Sequence, residues 1–158
     1  MKVNQGQKHK YLGMDLDYST CGQCKVPMIG FVNEILTAWE KADQSLDNNG
    51  YQTIVPKHKT KSSAAPENLF VVDKDCKKLN SVKAKAFHNI VAKALYVMKQ
   101  ARPNASVAIA FLTTRVWQPN TDNQAKLSHL MKYLCSTREL PLMLGADGAG
   151  IVKWYVNA

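Results

Sequence analysis

No run of about 18 apolar residues occurs anywhere in the 158-residue chain, and Met1 is followed by the polar stretch "KVNQGQKHK". A membrane span and a secretory peptide both need such a run, so the sequence is expected to be soluble and intracellular, with cytoplasm and nucleus equally open. Cysteine is scarce. Of Cys21, Cys24, Cys76 and Cys135 only the first two lie close together, in "CGQC". A zinc site needs four ligands, and neither the other cysteines nor His9, His58, His88 and His129 supply a second pair at usable spacing. A redox C-x-x-C should open a helix after a strand, whereas Gly22 and Gln23 sit between two strand-like runs, so the motif reads as a hairpin turn with two thiols. Glycine-rich phosphate loops are also missing. "GADGAG" has neither the spacing nor a following helix and reads as a plain turn, and no internal repeat is visible.

Acidic residues are the other shortage, 12 against 21 Lys and Arg, for a net charge of +9. Between Lys57 and Arg102 eleven basic residues face only Glu67, Asp73 and Asp75, while the remainder of the chain is almost balanced. Basicity concentrated in one region attracts phosphate backbones without regard to base sequence; the same lysines would also serve a solvated connector.

The periodicities imply an α+β chain. "KYLGMDLDYS" alternates, placing Leu12, Met14, Leu16 and Tyr18 on one face of a strand, and the chain returns through "CKVPM" as the second arm of an N-terminal β-hairpin. Asp15 and Asp17 share the opposite face and read as exposed strand carboxylates rather than metal ligands. Behind Pro27 the period becomes helical, with Met28, Val32, Ile35, Leu36 and Trp39 on one face up to about Ala42. A polar stretch rich in Asn, Ser, Lys and Pro follows and is expected to be a long, mobile connector. Three helices then form a bundle. The first, from an N-cap at Ser81 to about Ala101, presents Ala86, Ile90, Ala94, Val97 and Met98; the second carries Val107, Ala110, Phe111 and Thr114. The third opens on a capping box at "TDNQ" from Thr121 and runs through Leu127, Leu130, Met131 and Leu134. "LPLML", the glycine turn and "IVKWYVN" complete a C-terminal β-hairpin. The expected organisation is therefore a hairpin over 1–26, a helix over 27–42, a connector over 43–80, a bundle over 81–138 and a terminal β-unit over 139–158.

"YLGM", "ARPN" with its downstream "FLTTR", "MKYL" followed by "TRELPL", and "WYVNA" occur in an order that resembles the pol polyprotein of copia-type LTR retrotransposons, from about Lys8 to Ala158. The resemblance implies that Tyr11, Leu12, Gly13 and Met14 correspond to the primer grip of the reverse transcriptase. It also implies that the helix from Met28 belongs to the thumb, that the later helices form thumb and connection, and that the last strand begins the RNase H domain. By the same resemblance Lys85, Lys93, Lys99 and Arg102 become candidate phosphate contacts on an RNA–DNA hybrid or DNA duplex, although Arg102 equally suits a helix C-terminus.

The intact family enzyme uses Mg²⁺. Paired palm aspartates must hold two metals about 3.5–4 Å apart, and in the family they precede the Tyr-Leu-Gly hairpin. Asn157 stands where the family has its first RNase H aspartate, and a neutral amide binds Mg²⁺ more weakly than a carboxylate. The expectation is a catalytically incomplete fragment with no cofactor, no membrane contact and no small-molecule substrate, which retains non-specific nucleic-acid binding. An independent basic nucleic-acid-binding module, or a subunit complementing a separately encoded palm, is the alternative.

Overall fold

The computed structural model describes residues 6–44, 61–73 and 75–145. The element order is β1 (Lys8–Tyr11), β2 (Met14–Asp17), β3 (Gln23–Val26), α1 (Ile29–Gln44), α2 (Ser81–Ala101), a short 3-10 turn (Pro103–Ala105), α3 (Ser106–Thr113), α4 (Thr121–Ser136) and β4 (Leu142–Gly145). The four strands form one antiparallel sheet in the order β1-β2-β3-β4, so the fold is α+β as expected.

The first difference from the sequence reading lies within "KYLGMDLDYS". The run is not one strand, because it turns at Leu12 and Gly13, and β1 pairs back on β2 with Lys8 opposite Asp17 and Tyr11 opposite Met14. The second arm of the expected hairpin, β3, extends that pair to three strands. β4 pairs with β3, Cys24 opposite Leu144 and Val26 opposite Leu142, so the expected terminal β-unit is joined to the N-terminal sheet. The rest of that unit, Asn157 included, lies outside the described residues.

Period-3.6 patterning sets the helix faces where the opposite face is polar. Met28, Val32, Ile35, Leu36 and Trp39 are all buried, and so are Leu127, Leu130, Met131 and Leu134. On α2 the inward face is Phe87, Ile90, Val91, Ala94, Val97 and Ala101, turned slightly from the expected one. α3 differs most: Ala108, Ile109, Phe111 and Leu112 are buried, whereas Val107 is 54% exposed. A helix that is apolar almost all round carries no periodic signal of which side faces the core. Both helix starts sit one residue earlier than expected. Asn80 caps α2, its side chain accepting from Lys83 N at 2.9 Å. Asn120 and Asn123 form a reciprocal box on α4, at 2.9 and 3.3 Å. Asparagine's carbonyl performs the task expected of the hydroxyl next to it.

Side chains from β3, α1, α2, α3 and α4 join a single core, so the expected thumb helix and bundle are packed together. The part of the expected connector that is described lies against α4. Ala64 and Leu69 are buried, His129 Nε2 lies 2.9 Å from the Ser63 carbonyl, and the Ser136 hydroxyl donates to the Lys61 carbonyl at 3.2 Å. Further on, Leu79 N donates to Pro119 O at 2.9 Å and Thr121 N to Lys77 O at 3.0 Å. Polarity without periodicity says only that a segment forms no regular element; paired backbone and two buried apolar residues still dock this one. Residues 45–60 of that connector lie outside the described residues.

Candidate nucleic-acid interface

Tyr11 and Met14 face each other across a two-residue turn in which both central residues have positive φ, Leu12 at +47° and Gly13 at +78°. That is the requirement of a type I′ hairpin turn, whose twist matches the flanking strands and which favours Asn-Gly. Leucine is costly in this region because its Cβ crowds the following carbonyl, so something outside the turn must hold it there. The Tyr96 hydroxyl of α2 donates to the Leu12 carbonyl, and Tyr96 stacks at a tilt on Phe31 of α1 with ring centroids 5.2 Å apart. A Cβ built on Gly13 would lie 3.0 Å from Phe31 Cε2 and 3.3 Å from the Tyr96 hydroxyl. A glycine on the exposed face of a hairpin lets a nucleic-acid backbone approach closely. Here the space its missing side chain leaves is filled by Phe31 and Tyr96, so the glycine serves the docking of the hairpin on the helices.

Docking turns the tip outward. Tyr11 is 60% and Leu12 67% exposed, and Met14 packs half-buried against the core. Gly13→Ala is therefore expected to cost about 1–2 kcal/mol, from the left-handed backbone alone, with the clash against Phe31 added. Urea unfolding measures it, and Gly13→Asn should relieve the backbone part alone, since Asn tolerates positive φ but brings a Cβ to the same 3.0 Å from Phe31.

α2 has no acidic residue, and its Lys85, Lys93 and Lys99 are exposed. Among the described residues none of the three makes an ion pair. At 100° per residue they fall within an arc of about 120° on the helix surface. Lys93 and Lys99 stand three residues before and after Tyr96, on the turns either side of it, and Lys85 lies about 16 Å further along the axis. Tyr96 holds the hairpin tip, so the tip and the lysines share one face of the molecule.

Arg102 is removed from this set. It is 2% exposed, with Nη1 donating to Thr137 O at 2.9 Å, Nη2 to Thr137 Oγ1 at 2.6 Å and Nε to Asn104 Oδ1 at 3.3 Å. Its guanidinium also lies 5.9 Å from the centre of the Tyr133 ring. It binds the end of α2 to the end of α4 and presents no charge to a ligand.

Asp15 and Asp17 face lysines across the strand pair, Lys10 at 3.7 Å and Lys8 at 3.8 Å. The Ser19 hydroxyl and amide hold the Asp17 carboxyl below its ordinary range, assisted by Lys8 and Lys25 against some desolvation. Cys21 is exposed in the turn before β3 and Cys24 is buried on β3, both as free thiols. No cluster of three or more His, Cys, Asp or Glu side chains suited to a metal ion occurs among the described residues.

Sequence reasoning missed Phe31 and Tyr96, the residues that bring the hairpin to α2. The available signal was an aromatic on the lysine side of an amphipathic helix, where packing within the helix bundle does not call for one. Compared with protein-family models, curated proteins and solved structures, the chain matches none.

Proposed function

We propose that this chain is a nucleic-acid-binding segment of a copia-type reverse transcriptase polyprotein, covering hairpin, thumb and connection, that binds a duplex by its phosphates and performs no catalysis of its own. The observation that carries the reading is the shared face on which an acid-free helix displays Lys85, Lys93 and Lys99 beside the hairpin tip held by Tyr96. Three cations on one helix face supply affinity by counterion release, and the protruding Tyr11 and Leu12 supply apolar contact at a strand end. A second reading, an independent basic module, is favoured by the single core that sheet and helices share.

Fluorescence anisotropy with a labelled duplex tests the proposal. Affinity should be micromolar or weaker, indifferent to base sequence, and should fall steeply with salt. Replacing Lys85, Lys93 and Lys99 together by Gln should flatten the log–log salt slope by roughly 0.9 per lost contact, two to three units in all. A slope unchanged in the triple variant would overturn the reading. A polymerase-derived grip should also prefer a recessed 3′ end to a blunt duplex and lose that preference in Leu12→Ser, whereas an independent basic module should show no such preference. The same preparation should leave the primer unextended in Mg²⁺.

A further inference from the structure

Away from the α2 face, the end of α3 carries apolar surface that the core does not use. Trp117 is 88% exposed, although indole is among the largest apolar groups a fold can bury. Phe70 is 69% exposed and meets Phe111 edge-on, centroids 5.8 Å apart at 88°. The same Phe111 ring holds the Arg115 guanidinium at 4.9 Å. Among the described residues the Arg115 side chain makes no ion pair, and its buried Nε has no hydrogen-bond partner. Trp117 is two residues further on. Backbone pairing of Lys77 with Thr121 and of Lys78 with Asn120 sets two exposed lysines opposite the same turn.

We propose that Phe70, Arg115 and Trp117 form a stacking site for single-stranded nucleic acid. Open ring faces pair with unstacked bases, and a guanidinium held on a ring with no carboxylate partner suits the phosphate between them. Two acids of the neighbouring segments already have partners: Asp122 binds Lys126 at 2.7 Å, and Asp73 accepts from the Cys76 thiol at 3.2 Å and the Asp75 amide at 2.9 Å. A duplex hides its base faces, so this site should select single strands. An apolar protein surface would leave Arg115, Lys77 and Lys78 desolvated without partners. The inference rests on the reading above only for the class of partner, a polynucleotide.

The test is a titration of the full chain with a dT oligonucleotide of about a dozen residues, reading tryptophan fluorescence and the anisotropy of a labelled oligonucleotide. Quenching is expected, and Trp117→Phe should abolish most of it while keeping most of the affinity. Phe70→Ala with Trp117→Ala should weaken dT binding about tenfold or more and leave blunt-duplex binding nearly unchanged. Both side chains are largely exposed, so circular dichroism should show an intact fold. Equal loss for duplex and single strand, or no loss at all, overturns the site, as does quenching by phosphatidylserine-containing vesicles without quenching by dT. The two readings separate cleanly: dT quenching that persists when duplex binding is absent sinks the α2 interface and supports this one.

Discussion

Asp122→Ala is expected to destabilise the fold by about 3–5 kcal/mol, the cost of leaving a buried charge without its partner. Lys126 is 3% exposed on α4; its ammonium sits 2.7 Å from Asp122 Oδ2, donates to the Val71 carbonyl and lies 5.2 Å from the centre of the Phe111 ring. Removing the carboxylate keeps the ammonium in place with one carbonyl and one ring face. For a chain of this length that loss corresponds to a fall in Tm of roughly 10 °C or more. Lys126→Met should be milder, because the charge then left without its partner is Asp122, whose side chain is 17% exposed against 2% for Lys126. Since Lys126 also pins Val71, both variants should hasten proteolysis within residues 61–73. Thermal and urea unfolding of the two single variants decide the matter. A larger cost for Lys126→Met than for Asp122→Ala would show that the contacts to Val71 and Phe111, not the ion pair, dominate.

Arg102→Ala should cost about 3–5 kcal/mol while leaving the salt dependence of the proposed nucleic-acid binding untouched. Its hydrogen bonds to Thr137 and Asn104 are charge-assisted, each worth about 1.5–3 kcal/mol but not additive. Truncation also takes the charged donor from the Thr137 carbonyl, which keeps the Leu140 amide at 3.0 Å, and opens a cavity between the ends of α2 and α4. Arg102→Lys should recover less than half of the loss, since an ammonium cannot reproduce a fork reaching Thr137 on one side and Asn104 on the other. The opposite pattern, full stability with a salt slope flattened by about one, would return Arg102 to the set of phosphate contacts.

Much of the helical framework was readable because it is built from short-range patterns. The stripes of α1 and α4 stand against polar opposite faces, so their period alone orients them. α3 lacks that contrast, which is why Val107 was expected inside and is exposed. The alternation through "KYLGMDLDYS" concealed a turn, because Leu12 continues the apolar rhythm and leucine is a poor signal for positive φ. The candidate site was half legible. Tyr11 and Leu12 protrude and Lys85, Lys93 and Lys99 are exposed, but the resemblance that nominated these lysines also nominated Arg102, and residue type has no means of separating an outward cation from a buried one.

Fold class, the existence of every helix, the faces of α1 and α4 and the acid-free character of α2 were determined by the amino-acid sequence alone, since each follows from sterics and periodicity within a few turns. Tertiary structure decided everything whose partner is distant along the chain. Leu12 keeps its backbone because of Tyr96, 84 residues away, and Arg102 turns inward because Thr137, 35 residues away, offers a hydroxyl and a carbonyl. β4 extends the sheet because β3 has a free edge to offer. Arginine and lysine have long apolar stems and charged ends, so local propensity leaves their direction open; only the acceptors that the fold brings within reach determine whether such a charge becomes a bolt between helices or an anchor for a phosphate.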